Sequence, residues 1–199
     1  MARVSQAHLD ARRQQILDAA RRCFVRNGFH ATSMADLLAE AKMSAGGLYR
    51  YFNSKDEIVT AIAAQALHGV SGAIEAVIGA QTLPPLHTIV RRLAGEGSPL
   101  CADRDAARLL VQIWAEAARS PRIQERFQEA FSGAEAVIGT LIAEYQRRGL
   151  ISPEVNHTQA ARLLIGLLHG FVVQRALLPD AHPDTFNPGL AGLIFGGTS

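Results

Sequence analysis

The chain is poor in what a covalent or metal-held framework needs. Its 199 residues hold two cysteines, Cys23 and Cys101. That is too few for a disulfide framework, and their spacing fits no metal site. Charge is sparse: charged residues make up 19% and the net charge is +2, which alone does not argue for a nucleic-acid partner. No apolar run precedes Arg12, so no signal-peptide pattern is present. The most apolar segment, 163–173, is bounded by Arg162 and Arg175 and holds His169. It falls well short of the roughly 20 residues that span a bilayer, so no membrane partner and a cytoplasmic location are expected. Strand-like alternation, internal repeats and low-complexity segments are missing too.

Enzyme signatures are equally sparse. There is no Ser-His-Asp order that can be placed, no H-E-x-x-H, no P-loop and no G-x-G-x-x-G after a strand. His87, His157, His169 and His182 are scattered and read as ordinary core or surface histidines. Glu96, Asp103 and Asp105 lie near Cys101 in a turn that reads as a solvated loop. No catalytic residue, cofactor or metal is expected.

Hydrophobic content is 48%, enough for a real core. The informative stretch runs from Thr32 to Glu57. Met34, Leu37, Leu38 and Ala41 stand at i, i+3, i+4 and i+7, one face of a helix from Ser33 to about Glu40. Ser33 with Asp36 is close to a capping box. A turn follows at Ala41–Met43, with Met43 drawn inward. Ser44 caps a short helix from Ala45 to about Tyr51. Gly46 and Gly47 open that helix, where glycine costs about 1 kcal/mol relative to alanine. A bare backbone there lets another surface approach closely. Leu48 and Phe52 face the core, leaving Tyr49 and Tyr51 free to reach phosphates. Ser54 caps a further helix that begins with Lys55. Two short helices, a tight turn and flanking phosphate clamps are what a helix-turn-helix requires.

Charge placement agrees. Through Asp56 there are nine basic and five acidic residues (+4), leaving 11 basic and 13 acidic (−2) for the rest. The positive end carries the turn motif, although arginines on 12–26 also fit a plain solvated helix face.

The remainder reads as helical, so the fold class is all-α. A first helix runs from about Leu9 to Asn27, with Ile16, Ala20, Cys23 and Phe24 inward and Gly28 as the stop. The helix from Ser54 reaches about Ala80 and links two units, 1–53 and 54–199. Further helices are expected at Leu86–Leu93, Asp103–Arg119, from the Ser120 cap and Pro121 to about Arg148, from Asn156 to about Leu178, and within Pro183–Phe195. The two long late helices are apolar on more than one stripe. Their surplus needs cover, and Gly166 and Gly170 permit close helix approach; an entirely buried core helix is the alternative.

The run G-G-L-Y-R-Y-F-N-S-K-D-E-I, preceded by T-S-M-A-D-L-L-A-E-A and by a helix ending N-G-F, resembles the TetR family of bacterial transcriptional regulators. The motif covers the first quarter to third of the chain. The resemblance implies a three-helix DNA-binding module joined by a long helix to a helical ligand-binding and dimerisation domain. It places Ser44, Ala45, Gly46, Gly47, Tyr49, Tyr51 and Lys55 at DNA-contacting positions, and Thr32 and Ser33 at a helix end resting on the backbone. Position 45, often basic in the family, is Ala here; position 51, most often His, is Tyr. The implied protein is a dimeric repressor on a palindromic double-stranded operator, released by a small-molecule inducer. Its last long helices pair across the dimer. Its ligand cavity lies among the helices carrying Leu110, Trp114, Phe127, Phe131, His169 and Phe171, with His87, Arg108 and His169 as polar candidates. The absence of an acidic cluster points to an apolar or weakly polar ligand. Two other readings remain open: a DNA-binding protein whose second half only dimerises, and a helical small-molecule binder with a spurious turn motif.

Overall fold

The computed structural model describes residues 5–95, 98 and 103–184. Among these, eight helices follow in order: α1 (Gln6–Asn27), α2 (Met34–Ala41), α3 (Ala45–Tyr49), α4 (Lys55–Ile78), α5 (Leu86–Ala94), α6 (Arg104–Ala117), α7 (Pro121–Arg147) and α8 (His157–Leu177). Residues 185–199 lie outside the description, and with them most of the short helix expected at Pro183–Phe195; Cys101 lies outside it as well.

Local chemistry sets the helix ends. Ser5 Oγ accepts from the His8 N–H, so α1 starts earlier than the apolar pattern alone implies. Ser33 and Asp36 form a reciprocal capping box, and Ser44, Ser54, Asp103, Ser120 and Asn156 each accept a backbone N–H at the start of a helix. Gly28 ends α1 at φ +82°, a backbone state that glycine enters without steric cost. The α3 helix stops at Tyr49, two residues short of expectation.

Two apolar clusters form. The first joins Ile16, Ala20, Cys23 and Phe24 of α1 to Leu37, Leu48 and Phe52, and to Ile58, Val59 and Ile62 of α4. It also takes Leu109 and Ile113 from α6, which sequence periodicity gave no reason to expect. The N-terminal core therefore extends past position 53 and into the later helices. The second cluster unites α4 beyond Val70 with α5, α6, α7 and α8. It is tied at its far end by Arg148, which donates to the carbonyls of Ala80 (3.1 Å) and Gln81 (2.9 Å).

α4 and α8 have the length and apolar composition of a membrane span, longer than the 163–173 run suggested. Both are packed here on other helices: Val70, Ile74 and Val77 of α4, and Leu164, Ile165, Leu168 and Phe171 of α8, belong to the second cluster.

Candidate nucleic-acid interface and ligand cavity

The α2–turn–α3 unit is held from behind. Leu37, Leu48 and Phe52 are fully or nearly fully buried, and Met43 packs partly against them. Lys42 makes the turn in the left-handed region, φ 52°, ψ 46°. Glu40 fastens α2 to α1 through Arg22 (2.7 Å) and Arg26 (3.0 Å). These two guanidiniums hold its carboxyl below the usual range. Arg21 pairs with Asp18 at 2.8 Å. Arg21, Arg22 and Arg26 thus serve the fold.

Besides the exposed Lys42 and Arg50, this unit presents mostly backbone and small side chains outward. Ser33, Ser44, Ala45 and Gly46 are exposed, Gly47 is half-buried, and Tyr49 is 46% exposed. A Cβ on Gly46 would meet nothing within 4 Å. Nothing among the described residues therefore requires glycine there, and its bareness matters only to something arriving from outside. A Cβ on Gly47 would come 3.2 Å from Ser44 Oγ, so this glycine has a local packing reason.

Three expected contact residues are committed within the fold. Thr32 is 1% exposed, and its hydroxyl donates to the Gly28 carbonyl at 2.7 Å. Its side chain does not face outward, because the loop leaving α1 needs that bond. Tyr51 is half-buried against the first cluster. Lys55 Nζ donates to the Phe29 carbonyl at 2.8 Å and sits 4.5 Å above the Phe29 ring. The ammonium keeps further donors, but its first role is to pin the α1–α2 loop to α4.

The second feature is an apolar cavity of about 100 Å³. Ala63, Ala66, Leu67 and Val70 of α4 form one wall; Leu110, Ile113 and Trp114 of α6, Phe127, Phe131 and two alanines of α7, and Ile165, Leu168 and His169 of α8 form the others. Trp114 and His169 meet at a ring-centroid distance of 4.5 Å, Phe131 and His169 at 6.2 Å, and Phe127 and Phe131 at 6.2 Å. Burial pushes the His169 pKa down, favouring the neutral ring. Five of the six aromatic and apolar residues expected at a ligand site line this space. Phe171 does not: it is 1% exposed within the second cluster, while Val172 takes a place in the lining. His87 and Arg108 do not line it either. The α4 wall was missed, although Ala63, Ala66, Leu67 and Val70 stand at i, i+3, i+4 and i+7.

α1–α3 with the start of α4 thus build a helix-turn-helix unit, and the later helices pack with α4 around an apolar cavity. Comparisons with known proteins agree. Residues 16–62 match the family model for bacterial regulatory proteins of the tetR family, and residues 90–187 match that for the C-terminal part of BetI-type transcriptional repressors. The chain belongs to the TetR family of helix-turn-helix transcriptional regulators. It is 28% identical over 198 residues to the transcriptional regulator UidR of Escherichia coli K12, covering 92% of this chain and 91% of that one. It is 25% identical to the regulator TtgR of Pseudomonas putida, covering 91% and 88%. Among solved structures, Salmonella enterica GusR superposes with a TM-score of 0.75 at 28% identity, covering 98% of this chain and all of that one.

Proposed function

We propose that this chain is a cytoplasmic repressor, without catalytic activity, that binds a near-palindromic operator as a homodimer and is released by an apolar small molecule. Residues 1–53 carry the DNA-reading surface, 54–199 the regulatory part, and α4 belongs to both. Ser33, Ser44, Ala45, Gly46, Gly47 and Tyr49 lie against DNA, with Tyr51 and Lys55 at the margin and Thr32 contributing only backbone.

One observation carries the reading: α4 is shared. Its start, Ile58, Val59 and Ile62, is core to the DNA-binding unit; its middle, Ala63 to Val70, is a wall of the cavity. Ligand sites ordinarily occupy about 300–1,000 Å³, well above the 100 Å³ present. A ligand of ordinary size therefore needs the walls, α4 among them, to part, and it binds the parted state better, which is the condition for a switch. His169 supplies one hydrogen-bonding group in an otherwise apolar space, so the favoured ligand is an aromatic or aliphatic molecule with one polar group.

Dimerisation rests on the outer faces of α7 and α8. Leu163 is 61% exposed and Leu177 66%, with Val173 on the same side. Between them Gly166 and Gly170 are exposed, and a Cβ on either would meet nothing within 4 Å. Such a face fits close helix pairing with a second copy.

The test is an operator-binding assay on the full chain. A duplex selected from a random pool is expected to be a near-palindrome and to be released by a compound that quenches Trp114. Retention of the duplex by compound-saturated protein would show that this compound induces no release.

A further inference from the structure

Most of the basic side chains near the helix-turn-helix are already spoken for. Arg21, Arg22 and Arg26 pair with carboxylates. Arg13 lies 5.2 Å above the Phe52 ring, and Lys55 is bound to Phe29. Three cations remain with no carboxylate partner among the described residues: Arg12, Lys42 and Arg50. Arg12 donates only to the neutral Gln15 Oε1, at 2.9 Å. All three are exposed, and all three line one groove of about 330 Å³ between α1 and the α2–α3 turn, together with His8 and Ser44.

Three like charges around one groove repel one another until an anion arrives. The backbone at Lys42 sharpens the point. It has the one positive φ of any non-glycine among the described residues. Glycine would take that conformation without strain, yet the chain keeps a long cation there. A charge at the end of α2 also favours the helix dipole, but that requires neither Arg12 nor Arg50 nearby.

We propose that Arg12, Lys42 and Arg50 together hold a backbone phosphate of bound DNA, giving each copy a clamp formed by α1 and the turn. The inference rests on the DNA-binding reading. Such a contact positions the protein and carries no base specificity.

The test uses the full chain and three variants, Arg12→Gln, Lys42→Gly and Arg50→Gln. Binding is measured from 50 to 300 mM KCl on a roughly 30-base-pair duplex selected by the wild type and on a scrambled one. Each variant should flatten the dependence of log affinity on log salt by about 0.9 per lost phosphate contact. Affinity near 0.1 M should fall about five- to tenfold, equally on both duplexes. Lys42→Gly should melt no lower than the wild type. Unchanged slope and affinity in Lys42→Gly and Arg12→Gln would overturn the proposal, leaving Lys42 as a helix-end charge. A loss confined to the selected duplex would overturn it too, since that is base readout. If Lys42→Gly fails to fold, Arg12→Gln decides by the same slope. If the wild type selects no duplex and shows no salt-dependent binding, the DNA-binding reading falls and takes the clamp with it.

Discussion

At Gly46 the chain gives up helix stability with no internal return: the position has ordinary helical φ and open space beside it. Gly46→Leu is therefore expected to fold, gaining up to about 1 kcal/mol from helix propensity, while losing at least tenfold in operator affinity. Wild-type affinity in that variant would remove Gly46 from the interface. Thr32 and Lys55 behave differently. Thr32→Val breaks the bond to Gly28 and should cost about 1 kcal/mol, read by denaturant melting, with the salt slope unmoved. Lys55→Ala removes both contacts with Phe29 and should destabilise by about 1–2 kcal/mol as well as weaken DNA binding. The caps at Ser33, Ser44, Ser54, Ser120 and Asn156 were legible in sequence because each joins residues three apart, whereas the Ser5 cap was not read. The Lys55–Phe29 contact was not, because it spans 26 residues and only the folded loop creates it.

Elements carry the coupling between the two halves. α6 enters the first cluster with Leu109 and Ile113 and the cavity with Leu110 and Trp114. It also grips the α1–α2 loop: Gln112 Oε1 accepts the Phe29 N–H at 3.1 Å, and Glu116 lies 2.9 Å from His30 Nε2. Two alanines of α7, Ala130 and Ala134, line the cavity and make it easy to close by substitution. Ala134→Leu should fill it, abolish release by compound and leave operator binding within a few-fold. Trp114→Ala should weaken release and, with its half-buried ring gone, destabilise by about 3 kcal/mol. His169 gives a pH signature. Its folded pKa lies below the unfolded value near 6.5, so the unfolded state binds the proton first. Stability is full above about pH 7 and declines as pH falls through 6.5; His169→Asn should remove that part of the decline in melting experiments. The family resemblance pointed to the helices carrying Leu110, Trp114, Phe127, Phe131 and His169, which line the cavity, and also to Phe171, which does not. α8 is apolar on several sides, so its pattern does not select one.

At the scale of the whole molecule, a near-palindromic operator calls for two copies. A Leu163→Asp substitution on the exposed face of α8 should turn a dimer into a monomer in sedimentation and cut the salt slope of operator binding roughly by half. A stable wild-type monomer with full operator affinity would contradict the dimer. The all-helical division into a turn-bearing unit and a larger helical part was legible from caps and spacing. The way the first core borrows α6 was not, since Leu109 and Ile113 lie about 50 residues beyond α4's first turns. If the cavity and the DNA surface share one equilibrium through α4, compound and duplex must weaken each other. The affinity of a Trp114-quenching compound is measured by calorimetry with the free protein and with the protein saturated by its selected duplex. The duplex should weaken the compound at least about fivefold, by the same factor as the compound weakens the duplex. Equal compound affinity with and without the duplex would contradict it.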